Sequence, residues 1–254
     1  AKLVAHELGR TRGAPPPQIA LPTTLSAAEH THYAGVTGVD RVKRRVADER
    51  LVPREVFLDP RLTLPTPPLL WLSTGIKALD HAVESVLRAG HPITDVLALE
   101  AARCLFATLP ECAEDAHAIE PRGRAQLAAW MSLFSPATSR GGLSHALGHQ
   151  LGAYGVPHGI TSCVTLPAVL RFLEPVTAER QAAIALAIGA HGPLGAAVAD
   201  LIARLGLPSR LRATSLTRGD LPRIAANALP EAQAVSPRAI DGEGTLLELL
   251  EEMW

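Results

Sequence analysis

The sequence predicts a mainly α-helical chain, in which an all-helical C-terminal domain follows the remnant of an α/β unit. The first observation is the spacing of apolar residues beyond residue 68, which repeats with the period of a helix in one segment after another. The second is the composition of that region, which is rich in alanine and sparse in strand-forming residues. The third is a pair of short apolar runs nearer the N-terminus, which are typical of strands.

The first part of the chain is predicted to contain one helix and two strands. Residues 1–9 predict an amphipathic helix with no capping residue ahead of it. We therefore expect the chain to begin inside a domain, either because upstream residues are missing from the sequence or because the protein is naturally short. After a proline-rich turn at 15–17, the runs 18–21 and 55–58 predict strands, and the intervening segment is polar, with a basic run at 41–45.

A domain boundary is predicted in the segment 63–68, where three prolines fall within six residues and disfavour regular structure. We expect an α/β part over 1–66 and a helical domain over 67–254. Apolar periodicity predicts the helices of that domain at 69–89, 93–109, 123–134, 142–151, 160–173, 178–189 and 194–205. The Leu-Pro pairs at 207–208 and 221–222 predict the starts of the last helices.

Composition limits the classes of function. The formal net charge is −1 and both signs of charge are mixed along the chain, so no field attracts nucleic acid or an anionic membrane. No uninterrupted apolar run is long enough to span a bilayer, and no signal peptide is evident. The three cysteines lack a CxxC spacing, which fits a reducing cytoplasm better than a disulfide framework. We expect a cytoplasmic protein with neither nucleic acid nor membrane as a partner.

A cluster of histidines carries the strongest chemical signal. His145 and His149 lie one helical turn apart, and a Gly/Pro loop then brings back His158. Small residues on either side leave room for a ligand or a second backbone. Imidazoles grouped in this way suit metal binding or proton transfer.

A second motif lies on an earlier helix, where Lys77 and His81 are four residues apart and share one face. Asp80 lies on a neighbouring face. One interpretation is structural, with Lys77 paired to Asp80 and His81 packed at the edge of the core. The other, which we prefer, is that His81 joins the three later histidines in one active site.

The histidine helix with Pro157-His158-Gly159, the helix at 75–84, Pro22-Thr23-Thr24 and Leu58-Asp59-Pro60 together resemble the iron-containing (group III) alcohol dehydrogenase family, in the family's own order. Segments 73–84 and 143–169 look most similar to the maleylacetate reductase branch, whose chemistry belongs to aromatic catabolism.

This resemblance implies an oxidoreductase with a Rossmann-like nucleotide-binding domain and a helical domain that holds a divalent metal, Fe or Zn, facing the nicotinamide. By position, His81, His145 and His158 match the metal ligands, and His149 matches a histidine suited to proton transfer. The positions that match contacts with NAD(H) or NADP(H) are Thr23, Thr24, Ser26 and, less closely, Lys43 and Leu64. The resemblance also implies a homodimer.

Two departures from the family pattern change this expectation. Lys77 stands where the metal-binding form has an aspartate; an ammonium group cannot ligate a cation, so metal is disfavoured, although three neutral imidazoles can still hold zinc. A positive interpretation is that Lys77 and the histidines form a cationic pocket for a carboxylate-bearing substrate; the alternative is that Lys77 pairs with Asp80 and leaves the pocket. The second departure is the lack of a glycine-rich phosphate loop in this sequence.

The leading hypothesis is an NAD(P)H-dependent reductase of the maleylacetate reductase type, acting on an unsaturated keto acid or a related carbonyl compound. In it, Lys77 and the four histidines form the active site. One alternative is a metal-dependent alcohol dehydrogenase. The other is a truncated family member repurposed as a non-redox binding protein or enzyme.

Overall fold

A computed structural model of the chain describes residues 1–37, 43–88, 91–133 and 141–254, and their side chains except those of 37 and 43–45. The predicted mainly α-helical fold is confirmed. Within the described ranges the helices are α1 (Lys2–Arg12), α2 (Pro68–Leu87), α3 (Pro92–Glu114), α4 (Ile119–Ser132), α5 (Leu143–Ala153), α6 (His158–Ala187), α7 (Leu194–Arg204), α8 (Leu221–Val235) and α9 (Glu243–Glu252).

The strands lie in the first quarter of the chain. The two predicted strands are present but short: β1 (Ile19–Ala20) pairs in parallel with β4 (Glu55–Val56). Between them, β2 (Tyr33–Thr37) and β3 (Lys43–Ala47) form an antiparallel pair. No strand was predicted in this polar segment, because the basic run at 41–45 interrupts the apolar alternation that is typical of strands.

Three helix boundaries differ from the prediction. The helices expected at 160–173 and 178–189 are one helix, α6, with a kink at Thr177 (φ −131, ψ 15), two residues after Pro175. Helix α3 continues four residues past Pro110 because Leu109 and Cys112 are packed in the core. The helix expected to start at Leu207 is absent; that segment instead runs to a hydrogen bond from Leu211 N to Met253 O (2.9 Å).

Helix α2 is the centre of the helical part. It packs against α3, α4 and α6, and α5 packs against α6 and α8. Apolar residues such as Trp71, Ile76 and Leu79 are completely buried on α2, as expected for a helix that neighbours surround. The same helix buries Lys77, Asp80 and Glu84. Charged side chains are almost never fully buried unless they are paired, so α2 brings a polar site into the core.

Helix α6 is long and apolar enough, by length and composition alone, to cross a membrane, and 72% of its most apolar window is buried inside the protein. A core helix passes the same test, so the absence of a membrane partner stays a prediction. The three cysteines are free; Cys112 and Cys163 are buried, as expected for small apolar residues.

Candidate active site

Three of the four predicted histidines form a series of ring contacts between α2 and α5. The ring centroids of His81 and His145 are 4.8 Å apart with an interplanar angle of 23°. Those of His145 and His149 are 6.4 Å apart at 80°. His145 is buried and the side chain of His149 is 32% exposed. His145 is thus the most buried member of the series and lies between His81 and His149, which are both half-buried.

His158 is the first residue of α6 and is exposed. The start of α6 lies directly against α2, because a Cβ on Gly159 would come within 2.9 Å of the backbone oxygen of Ser73. The Gly/Pro loop before it turns at Gly155, whose φ of +92° favours glycine. The backbone that carries His158 therefore lies beside α2.

A carboxyl group missed by the sequence argument organises the start of α5. Glu84 accepts hydrogen bonds from Gly142 N at Oε2 (2.6 Å) and from Ser144 N at Oε1 (2.7 Å). Its Oε2 is also 2.5 Å from His145 Nδ1. An acidic group at a helix N-terminus is stabilised by the unpaired N–H groups there. Glu84 thus holds α5 and orients the ring of His145; its spacing from Lys77 and His81 on the helix was the available signal.

Lys77 is almost completely buried, with 1% of its surface exposed. Its Nζ lies 3.3 Å from Asp80 Oδ2 and donates to Ser162 Oγ at 3.1 Å. Asp80 Oδ2 in turn accepts from Ser162 Oγ (2.6 Å) and Ser144 Oγ (3.0 Å). The ammonium group is therefore paired with Asp80, which is the alternative interpretation of the sequence, and it does not line an open pocket in this structure.

Burial and charge together set the protonation of this network. Burial would raise the pKa of Asp80, but His145, Lys77 and the hydrogen bond from Ser162 hold it below its ordinary value. Burial and the nearby Asp80 raise the pKa of Glu84 to about 8. The buried charges of Lys77 and Asp80 are of opposite sign, as charges in a core require.

The two inner histidines are neutral at physiological pH. Burial, followed by the charge of Lys77, lowers the pKa of His145 to about 3. Burial, with His145 and Lys77, lowers the pKa of His81 well below its ordinary value. A neutral imidazole keeps a lone pair on one ring nitrogen, so each ring can accept a proton or a ligand at that atom.

His149 has its own carboxylate partner. Its Nδ1 lies 2.8 Å from Glu231 Oε1, on helix α8. The side chain of Glu231 is 35% exposed. Glu231 was not predicted as a site residue, because 82 residues separate it from His149 and no local pattern pairs them.

The predicted nicotinamide-side residues lie in a loop that the helical part holds. Thr66 Oγ1 donates to Thr23 O (2.7 Å), and Leu25 N donates to Thr74 Oγ1 (3.1 Å) on α2. Within the loop, the hydroxyls of Thr24 and Ser26 are 3.3 Å apart. The backbone of the loop is thus fixed from outside, while the two hydroxyl groups bond to each other.

The remaining two predicted contacts lie farther along. Leu64 is half-buried and follows a 3₁₀ turn, Pro60–Thr63. Lys43 begins strand β3, and its side chain lies outside the described part of the chain.

Two sets of side-chain atoms are candidate ligands for a metal ion. Ligand atoms of Asp80, Glu84 and His145 lie within 4.8 Å of one another. Protein donors occupy Asp80 Oδ2 and both oxygens of Glu84, whereas Asp80 Oδ1 is buried without a hydrogen-bond partner among the described residues. The ammonium of Lys77 stands beside Asp80. A cation does not fit there without displacing Lys77.

The imidazole set is a better match to a metal. His145 Nε2 and His81 Nδ1 are buried and have no hydrogen-bond partner among the residues that the structure describes. Buried polar atoms are normally paired, so unpaired ring nitrogens indicate space for a ligand. The histidine residues therefore fit a metal, with the charge of Lys77 opposing it.

Comparison with known proteins gives one family. The family model described as "Fe-containing alcohol dehydrogenase family, C-terminal" matches residues 71–254. A maleylacetate reductase of Burkholderia cepacia is 32% identical over 228 residues, which cover 89% of this chain and 64% of that protein. A 1,3-propanediol dehydrogenase of Citrobacter freundii is 30% identical over 251 residues, which cover 93% of this chain and 65% of that protein.

Solved structures agree with these relatives. An iron-containing alcohol dehydrogenase from Corynebacterium glutamicum superposes with a TM-score of 0.87 at 28% identity, over 98% of this chain and 69% of that one. A maleylacetate reductase from Agrobacterium tumefaciens gives a TM-score of 0.84 at 29% identity, over all of this chain and 78% of that one. The chain thus spans less than two thirds of the length of the two curated relatives.

Proposed function

Because this chain belongs to the iron-containing alcohol dehydrogenase family, we propose that it is part of an NAD(P)H-dependent reductase of the maleylacetate reductase type. Its substrate is an unsaturated keto acid or a related carbonyl compound that carries a carboxylate. The observation that carries the proposal is the buried pair of Lys77 with Asp80 beside three contacting imidazoles. A protein cation stands where the family resemblance implies a metal ligand.

The site residues have different roles in the proposed reaction. His149 is the candidate that supplies or relays a proton to the substrate, because its side chain is 32% exposed and because it matches, by position, the family's histidine suited to proton transfer. Glu84 fixes the ring of His145, and Lys77 balances the negative charge of Asp80, so the interior end of the site is not strongly anionic. A carboxylate substrate is therefore repelled less than it would be by an unpaired Asp80.

The loop that contains Thr23, Thr24 and Ser26 is the proposed binding site for the nicotinamide end of the cofactor, together with Leu64 and Lys43. When bound, the dihydronicotinamide supplies the hydride and leaves oxidised, while the matching proton comes from the protein. Thr66 and Thr74 hold the backbone of this loop, which lowers the cost of ordering the loop when the cofactor binds.

The test uses the complete product of the gene that encodes this chain. We expect NADH or NADPH to bind, measured by fluorescence titration, and an unsaturated keto acid to be reduced with loss of cofactor absorbance. His149→Gln should keep cofactor affinity and lower kcat by about 100-fold, as expected for a group that transfers a proton. His191→Gln, in an exposed loop, is the matched control. Failure of both dinucleotides to bind excludes the reductase and favours a repurposed binding protein.

A metal-dependent alcohol dehydrogenase is the second candidate, and the unpaired ring nitrogens of His81 and His145 favour it. In that case His81, His145 and His158 would hold Fe or Zn, which would polarise the substrate oxygen as a Lewis acid. Elemental analysis of the purified protein separates the two. Stoichiometric metal, with activity lost to a chelator, would support this candidate over the metal-free reductase.

Substitution of Lys77 tests whether its charge controls metal binding. Lys77→Asp puts a carboxylate where the family resemblance implies a metal ligand and leaves Asp80 without its cation. We expect this variant to bind Fe or Zn more tightly than the parent chain, by at least 10-fold in a competition with a chelator. If affinity is unchanged, the charge of Lys77 does not control metal binding.

A further inference from the structure

We propose that Glu231 is a positioning residue, which fixes the imidazole of His149 in the tautomer protonated at Nδ1 and so makes Nε2 the atom that exchanges the proton. The catalytic meaning of this assignment rests on the proposed function. The structural part, which concerns only the tautomer, does not.

The contact joins two helices that pack against each other. His149 lies on α5 and Glu231 on α8, and the distance from Nδ1 to Oε1 is 2.8 Å. An ionised carboxylate has only acceptor sites, so the proton of this hydrogen bond belongs to Nδ1 of the ring. In a neutral imidazole the other nitrogen, Nε2, then carries the lone pair.

The same arrangement occurs one helical turn earlier. His145 directs its Nδ1 to Glu84 Oε2 at 2.5 Å, and Glu84 comes from α2, a different helix. Both histidines of α5 therefore direct the same ring atom to a carboxyl group from a neighbouring helix. At His145 the opposite nitrogen, Nε2, is buried and without a partner among the described residues. Two such contacts on one helix support a positioning role for the carboxyl groups. A single pair at the surface would contribute little.

The tautomer matters because the two ring nitrogens differ in position. A histidine side chain free in water favours the proton on Nε2. In that state Nε2 is a hydrogen-bond donor, whereas Nε2 of the ring bound to Glu231 is an acceptor. A hydrogen bond at Nδ1 is enough to reverse a modest intrinsic preference. Outer carboxylates of this kind orient histidines in many sites, and their loss costs about 10- to 100-fold in function.

The experiment measures the tautomer directly on the 254-residue chain. Histidine ring nitrogens are labelled with ¹⁵N, and their chemical shifts distinguish protonated from unprotonated nitrogen. Spectra are taken at about pH 8.5, where ordinary imidazoles are neutral. The signals of His149 are identified by their absence in His149→Gln.

Two substitutions at one position separate the hydrogen bond from the charge. Glu231→Gln keeps an acceptor oxygen for Nδ1–H, and Glu231→Leu removes it. Glu179→Leu, at an exposed position on α6, is the matched control. We expect the parent chain, Glu231→Gln and the control to show the proton on Nδ1, and Glu231→Leu to move it mainly to Nε2. In the complete gene product, Glu231→Leu should lower kcat about 10-fold or more with KM changed less than about 2-fold.

A proton on Nε2 of His149 in the parent chain, or an unchanged tautomer in Glu231→Leu, overturns the assignment. An altered tautomer with unchanged kcat also overturns the positioning role. If the complete gene product reduces no substrate at all while the tautomer responds as expected, the proposed reductase fails and the assignment of the Nδ1–H tautomer stands. The two failures are therefore distinguishable.

Discussion

The carboxyl group of Glu84 is buried between two backbone N–H groups and the ring of His145. Burial and the neighbouring Asp80 outweigh Lys77 and those N–H groups, and the pKa of Glu84 rises to about 8. The folded chain therefore binds a proton that the unfolded chain, with an ordinary value of 4.5, releases at lower pH. A group whose pKa is raised on folding contributes stability that is lost as pH rises through the folded value.

Burial also raises the pKa of Glu29, which gives a slope of the same sign, so the contribution of Glu84 is the difference in slope between the parent chain and a Glu84 variant. The lowered pKa values of the histidines change the stability only below pH 6.5. The lowered pKa of Lys2, about 8, changes the stability only above that value. Between about pH 6.5 and 8 the free energy of unfolding should fall as pH rises. Glu84→Gln should lose this slope and be less stable by about 2 kcal/mol, since the amide nitrogen replaces one of the two oxygens that accept backbone N–H groups and cannot accept a hydrogen bond. Urea unfolding across this range tests it, with Glu179→Gln as the control; equal slopes in both variants would refute it.

Gly142 allows the carboxylate of Glu84 to approach the start of α5. A Cβ at this position would lie 2.6 Å from Glu84 Oε1. Its φ of −120° suits any residue, so the constraint is space and not backbone conformation. Gly142→Ala should cost about 1–3 kcal/mol by displacing the carboxylate from its buried donors. Gly152→Ala, in the same helix with open space at Cβ, should be neutral or stabilising by up to about 1 kcal/mol. Similar effects in thermal unfolding would contradict this explanation.

At the scale of elements, the sequence predicted what is local. Apolar periodicity identified α2 and α5 and the spacing of the histidines, because a helix repeats within a few residues. The partners of those histidines come from distant segments: 61 residues separate Glu84 from His145, and tertiary packing alone determines such pairs. For the same reason the burial of Lys77 with Asp80 remained one of two interpretations.

The loop that contains Thr23 depends on an element outside it. Thr66 is buried, and its hydroxyl donates to Thr23 O at 2.7 Å. Thr66→Val keeps the shape and removes the donor, so it should destabilise the chain by about 1 kcal/mol. If the loop binds the nicotinamide end of the cofactor, the Kd for NAD(P)H of the complete gene product should rise several-fold.

A matched control separates the loop from general stability. Thr108 on α3 is also buried and donates to Cys104 O at 2.9 Å, within its own helix. Thr108→Val should lower the free energy of unfolding by a similar amount and leave the Kd unchanged. An unchanged Kd in Thr66→Val would show that this hydrogen bond does not organise the loop for the cofactor.

At the scale of the whole molecule, Arg122 on α4 ties the segment before α2 to the helical part. The side chain is 1% exposed, and its Nη1 donates to both O and Oγ1 of Thr63 at 3.0 Å. Its Nε donates to Ala116 O (2.9 Å), and the guanidinium lies 4.5 Å from the centre of the Trp71 ring. These contacts hold the end of the first 66 residues against two helices.

Arg122→Met keeps much of the apolar volume but leaves the acceptors of Thr63 and Ala116 buried without a donor. We expect a loss of about 2–4 kcal/mol, since each such acceptor costs about 1–3 kcal/mol. Arg124→Met, on the same helix with a side chain 39% exposed, should cost less than about 1 kcal/mol, because its ion pairs are at the surface. In amide hydrogen exchange, Arg122→Met should lose protection first in the strands at 19–56, since these depend on that attachment. Equal stability in the two variants, or an even loss of protection along the chain, would show that Arg122 does not join the two parts.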